Sequence, residues 1–115
     1  MRVLCVCNGG NVRSVTLARM LRKRGKDHDI LSCGPDSLSL QTLTMLVDWA
    51  DIIYSQKDSS FKLKDIFGYL GPKIDTRFDV GPDDWKYPDH PHLLGLMRNM
   101  IMADEEWGSR TSDNA

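Results

Sequence analysis

A chain of 115 residues is one domain's worth, and 41% hydrophobic with 27% charged residues is a globular balance, not that of a disordered or collagen-like chain. The net charge of −1 argues against nucleic acid as partner, but it is the sum of two unlike ends. Residues 1–26 carry seven basic side chains and no acid, whereas residues 75–115 carry nine acids and four bases, so a basic site facing an acidic element or an anionic ligand is expected.

The opening run Arg2–Cys7 is apolar and rich in β-branched residues, long enough for a buried strand. It is too short for a membrane span and lacks a small-residue cleavage site, so neither membrane nor export is expected. An odd cysteine count (Cys5, Cys7, Cys33) fits free thiols in a reducing cytoplasm better than a disulfide framework.

Asn8-Gly9-Gly10-Asn11 breaks the strand pattern. A helix is predicted from Ser14 to about Arg24, stopped by Gly25. Ile30–Cys33 reads as a short strand ending at Gly34-Pro35. A second helix over Leu38–Trp49 follows from the spacing of Leu40, Leu43, Leu46 and Val47. Residues 51–55 read as the next strand. Asp58 or Ser59 then opens a helix towards Phe67, stopped by Gly68 and Gly71-Pro72. Lys73–Val80 makes one more strand, Gly81–Pro91 is a loop with three prolines, and a last helix runs from His92 to about Glu106. Strand and helix alternate throughout, which predicts an α/β fold: a three-layer sandwich around a four-stranded parallel sheet. Residues 1–110 form the single domain, and 111–115 a frayed tail. In such sheets ligands sit at the carboxyl ends of the strands, where the strand order reverses.

The first strand's carboxyl end is Cys7, and Cys7-Asn8-Gly9-Gly10-Asn11-Val12-Arg13-Ser14 joins a cysteine to an arginine through a glycine-rich turn entering a helix. Glycines let successive N–H groups turn inward as an anion-binding nest, and the helix start adds its positive end. Arg13 offers a planar two-pronged donor for phosphate oxygens. Positive surroundings of this kind favour the thiolate, and a thiolate inside a phosphate cradle is a phosphoryl-transfer site. Residues 8–13 are therefore the expected phosphate-binding loop. No Gly-Lys-Ser/Thr follows, so it is not a nucleotide P-loop.

The pattern of Val3-Leu4-Cys5-Val6-Cys7 with Cys-x5-Arg-Ser resembles the low-molecular-weight protein tyrosine phosphatases. Ser32-Cys33-Gly34, Trp49-Ala50-Asp51-Ile52-Ile53 and Pro82-Asp83-Asp84-Trp85 resemble that family's later segments, and the Pro-Asp-acid-aromatic loop resembles its short bacterial and phage-type branch. The resemblance implies a flavodoxin-like fold, hydrolysis of phosphotyrosine or other phosphomonoesters, and no cofactor or metal. It implies that Cys7 attacks phosphorus, that Arg13 and the loop amides bind the equatorial oxygens, and that the Ser14 hydroxyl hydrogen-bonds the thiolate. The general acid falls on Asp83, with Asp84 and then Asp79 as alternatives. Trp85 and Tyr87 are expected to wall the substrate pocket. Implied partners are a phosphorylated protein or small phosphomonoester and an oxyanion such as inorganic phosphate.

Two departures stand out. Gly10 replaces the Asn that the family places three residues after its nucleophile, and Val12 replaces its second loop cysteine. Four rival readings share the same residues. An arsenate reductase would need further cysteines, and Cys33 alone lies downstream. A zinc site from Cys5, Cys7, His90 and His92 is weakened by His90, which reads as a cap of the last helix. A binding module that captures phosphopeptides without turnover is countered by the intact Cys7, Arg13 and Ser14. A serine-directed phosphatase shares the loop, while the aromatics favour phosphotyrosine. Arg19, Arg22, Lys23, Arg24 and Lys26 make the first helix basic, either a solvated face or a patch that steers acidic phosphoproteins.

Overall fold

The computed structural model describes residues 1–9, 12–24, 28–68, 74–81 and 85–103, with backbone alone at 74–77 and 103. Four strands, β1 (Arg2–Val6), β2 (Asp29–Cys33), β3 (Ile52–Gln56) and β4 (Ile74–Phe78), alternate with four helices, α1 (Arg13–Arg24), α2 (Leu40–Trp49), α3 (Lys57–Phe67) and α4 (Pro91–Ala103). All strand pairs are parallel and the order is β2-β1-β3-β4. This is the four-stranded, flavodoxin-like sandwich expected from the alternation of elements. β1 lies in the middle, flanked by β2 and β3, and the order reverses on either side of it. Its carboxyl end and that of β3 are therefore neighbours at the switch point.

The sheet buries both faces, which is why its strands read as continuous apolar runs. One face (Val3, Cys5, Ile52, Tyr54, Phe78) packs against Leu17, Ala18 and Leu21 of α1 and Leu93, Met97 and Ile101 of α4. The other (Leu4, Val6, Ile53) packs against Leu43 and Val47 of α2 and Leu63 of α3. The helical stripes expected in α2 and α4 narrow on inspection: Leu40 and Leu96 face solvent.

Helix ends follow local chemistry. The start of α2 shifts to Leu40 because the Ser39 side chain accepts the Thr42 amide at 3.1 Å and acts as N-cap. Ahead of it, Pro35–Ser37 forms a single 3₁₀ turn that the apolar spacing did not signal. α3 ends at Gly68, whose φ of +65° only glycine adopts cheaply. α4 begins at Pro91, where a missing N–H costs nothing. The expected stops at Gly25 and Gly71-Pro72, and the tail 111–115, lie outside the described residues. No helix among the described residues is long and apolar enough to cross a membrane.

Two buried thiols give the fold a pH limit. Burial, with the neighbouring Cys7 adding to it, pushes Cys33 up to about 12, and burial raises Cys5 further still. Both thiols have folded-state values above the unfolded ~8.5, so their contribution is complete below that value and lost as pH rises through and beyond it. At pH 10 the unfolded state gains about 2 kcal/mol from ionising Cys33 alone. Urea titrations should give a lower midpoint at pH 10 than at pH 7, and Cys33→Ala should reduce that difference.

Candidate active site

Cys7 directly follows β1 with no exposure, its amide donating to the Cys33 carbonyl at 3.2 Å. Its Sγ receives the Ser14 amide at 3.3 Å and lies 3.2 Å from the Ser14 hydroxyl. α1 begins at Arg13, so the Ser14 N–H is one of the amides a helix start leaves without an intrahelical carbonyl. The sulfur sits on the positive end of α1, where a negative charge is favoured. Cys7 and Ser14 are thus brought together by a seven-residue return of the chain.

The backbone of the loop is braced from outside. The Asn8 carbonyl accepts the Asp36 amide at 3.0 Å, and the Gly9 carbonyl accepts the Ser37 hydroxyl at 2.7 Å. The unforeseen 3₁₀ turn is this brace, and Lys62 of α3 fixes it in place through Asp36 at 2.7 Å. On the helix side Val12 packs on the core, and its carbonyl accepts the Thr16 amide and hydroxyl. The Pro88 carbonyl shares that one hydroxyl proton with the Val12 carbonyl, tying α1 to the late loop. Gly10 and Asn11 lie outside the described residues.

Arg13 is fully buried, unusual for its type. Its Nη1 donates to Asp58 Oδ2 at 3.0 Å and to the Gly81 carbonyl at 2.9 Å. Asp58 lies on the first turn of α3, just past the end of β3. The carboxylate holds one edge of the guanidinium, which fixes where its planar fork points. Sequence reading missed Asp58 as a site residue. The only signal was its position after the third strand, at the end that a parallel sheet sets beside Cys7.

Gln56, the last residue of β3, is also part of the site and is buried with 2% exposure. It stands at the N-cap position of α3 without capping it, because its amide is spent elsewhere. Nε2 donates to Asp79 Oδ1 at 2.9 Å and lies 3.4 Å from the Gly81 carbonyl, while Oε1 accepts the Val80 amide at 3.1 Å. Asp79 also accepts the Gly81 amide at 3.0 Å. The Gly81 amide first, then the Gln56 side chain, hold the Asp79 carboxyl below the usual carboxylate range. Both bonds fall on the one oxygen, Oδ1, of Asp79. Asp83 and Asp84 lie outside the described residues.

Gln56, Lys57, Asp58, Phe61, Asp79 and Gly81 line an open groove of about 450 Å³ beside Arg13. Its aromatic is Phe61, half exposed on α3. Trp85 instead packs against the core and stands edge-on to His90 and His92, with ring centroids 5.1 and 5.5 Å away. Tyr87 is exposed and lies against His90. The His90 ring accepts the His92 amide at 3.2 Å and caps the start of α4. No group of three or more His, Cys, Asp or Glu among the described residues is placed to hold a metal ion. Lys23 and Arg24 line a separate groove with Arg98 of α4; Arg24 is about 16 Å along α1 from Arg13. Those two charges are at the far end of α1 from Cys7.

No protein-family model matches the chain, and no curated protein matches it. Among solved structures, the YwlE arginine phosphatase from Geobacillus stearothermophilus is similar, with a TM-score of 0.68 and 15% identity. The match covers 95% of this chain and 91% of that one. At this identity the likeness is one of architecture: the chain has the fold of that phosphatase over nearly its whole length.

Proposed function

We propose that the chain is a cysteine-dependent phosphatase working through a cysteinyl-phosphate. The observation that carries this reading is Cys7 Sγ at the start of α1, accepting the Ser14 amide and donating to the Ser14 hydroxyl oxygen, next to the buried Arg13. The Cys7 thiolate attacks phosphorus, the bond to the leaving oxygen breaks, and that oxygen takes a proton from the general acid. Water then gives a proton to the carboxylate that the acid has become and attacks the same phosphorus, the S–P bond breaks with its electron pair returning to the Cys7 sulfur, and inorganic phosphate leaves. Arg13 and the loop amides hold the equatorial oxygens throughout.

Phosphotyrosine is the substrate this reading favours, with the exposed Phe61 ring offering an apolar face in the groove that it lines with Asp58 and Gly81, the two partners of Arg13. A second reading, phosphoarginine, draws on the solved arginine phosphatase of like fold and on the groove itself, where the Asp58 and Asp79 carboxylates suit a guanidinium. Both carboxylates would repel a further anion. Hydrolysis of a phosphotyrosine peptide and a phosphoarginine peptide of equal sequence, in EDTA, separates the two by kcat/KM. Release of phosphate from neither peptide nor p-nitrophenyl phosphate would refute the phosphatase reading.

Asp83 remains the general acid of this proposal. Asp83→Asn should lower kcat/KM on phenyl phosphate, a poor leaving group, by about a hundredfold or more. On p-nitrophenyl phosphate, whose leaving group needs no proton, the loss should be several-fold. If Asp84→Asn shows that split and Asp83→Asn does not, the acid is Asp84.

A further inference from the structure

The late segment that precedes Pro82-Asp83-Asp84 has one buried side chain reading three of its residues in succession. Gln56 donates to the Asp79 carboxylate, accepts the Val80 amide and approaches the Gly81 carbonyl. The chemistry admits one orientation of that amide: the carboxylate needs a donor and the Val80 N–H needs an acceptor. The Asp79 carboxylate closes the turn back onto the Gly81 amide at 3.0 Å, and Gly81 takes a φ of +88°. The Gly81 carbonyl is then shared with Arg13 at 2.9 Å. Asp83 follows Gly81 by two links, at most about 7 Å of chain.

We infer that Gln56 is a positioning residue for the phosphatase reaction, a clamp that sets the acid-bearing segment against the phosphate-binding arginine. The inference rests on the phosphatase reading and adds to it a residue that touches neither the phosphoryl group nor the leaving oxygen. A neutral side chain with a donor and an acceptor in one plane is required. Methionine of similar length supplies neither, and an ionised glutamate would meet the Asp79 carboxylate with like charge. Protonated glutamate, by contrast, has one donor and one acceptor and can repeat the pattern.

The test compares wild type, Gln56→Met and Gln56→Glu on phenyl phosphate and p-nitrophenyl phosphate, with inorganic phosphate as competitive inhibitor. Gln56→Met should lose about tenfold or more in kcat/KM on phenyl phosphate, a misplaced-acid effect. It should lose about twofold on p-nitrophenyl phosphate and keep its inhibition by phosphate within about twofold, since the Cys7 loop is intact. Burial and the facing Asp79 charge raise such a carboxyl above the ordinary glutamate value, so Gln56→Glu should match wild type at low pH and fall towards Gln56→Met as pH rises, with its midpoint above that value. Equal losses on both substrates, or no loss, would overturn the clamp while leaving the phosphatase reading intact. A wild type inactive on both substrates would remove that reading and the clamp with it. If Gln56→Met does not fold, the recovery of Gln56→Glu at low pH decides: its presence supports the clamp and its absence overturns it.

Discussion

Cys7→Ser should abolish turnover of p-nitrophenyl phosphate in EDTA, a loss of about 10⁴- to 10⁶-fold in kcat, comparable with removing the nucleophile of other covalent enzymes. The size of the effect follows from the chemistry. A serine hydroxyl is a poor nucleophile without a base, and neither Ser14 nor the α1 amides can accept its proton. The site should otherwise survive. Serine is slightly smaller than cysteine, and its hydroxyl can keep accepting the Ser14 amide and donating to the Ser14 hydroxyl oxygen, as Sγ does now. Titration calorimetry with inorganic phosphate should therefore show binding to the variant, while quenched samples contain no phosphoenzyme. Rapid quench of the wild type with ³²P-labelled substrate should trap label on Cys7 and on no other cysteine. Retained turnover in Cys7→Ser would end the covalent mechanism.

The second large effect is expected at Arg13. Arg13→Lys keeps the charge and discards the planar fork, and should lower kcat/KM by about 10²- to 10³-fold, the scale of losing a preorganised donor to the developing oxyanion. A lysine ammonium inside this pocket has the Asp58 carboxylate and the Gly81 carbonyl as acceptors, and bonds to both leave it poorly placed for phosphate oxygens. Affinity for inorganic phosphate should fall with the rate, unlike in Cys7→Ser. Steady-state kinetics with phosphate inhibition on the two variants would thus distinguish chemistry from binding. An Arg13→Lys variant with wild-type kcat/KM would show that the arginine only fills space.

Much of the architecture could be read from alternation. Continuous apolar runs of four or five residues and helical stripes between them require a sheet buried on both faces, and that sheet was found. The Cys7-to-Ser14 segment was legible because its parts are local: strand end, glycine turn and helix start follow one another, and the structure places Ser14 on Cys7 within eight residues. Gln56 and Asp58 were not legible. Their roles come from the parallel register that pairs Val6 with Ser55, and no spacing along the chain expresses that pairing. The brace at Pro35–Ser37 was hidden for the same reason, since its partners lie across the sheet on the first loop. Trp85 shows how little a motif says about an aromatic's surroundings: the ring is partly buried against the core and stands beside His90 and His92, while the exposed Phe61 of α3 lines the groove with Asp58 and Gly81.

The place of β1 in the sheet carries one more consequence. Its amides are protected on both edges, by β2 and by β3, so the half of the site that begins at Cys7 can open only when the central sheet itself comes apart. The segment from Asp79 to Gly81 is attached there by side-chain bonds from Gln56 and Arg13, a much smaller unit to release. Native-state hydrogen exchange should therefore divide the active site into two tiers. The β1 amides would report global unfolding, and the Val80 and Gly81 amides a far less costly local excursion. Such a division would let the groove lined by Asp79 and Gly81 open and close while Cys7 and Ser14 keep their places.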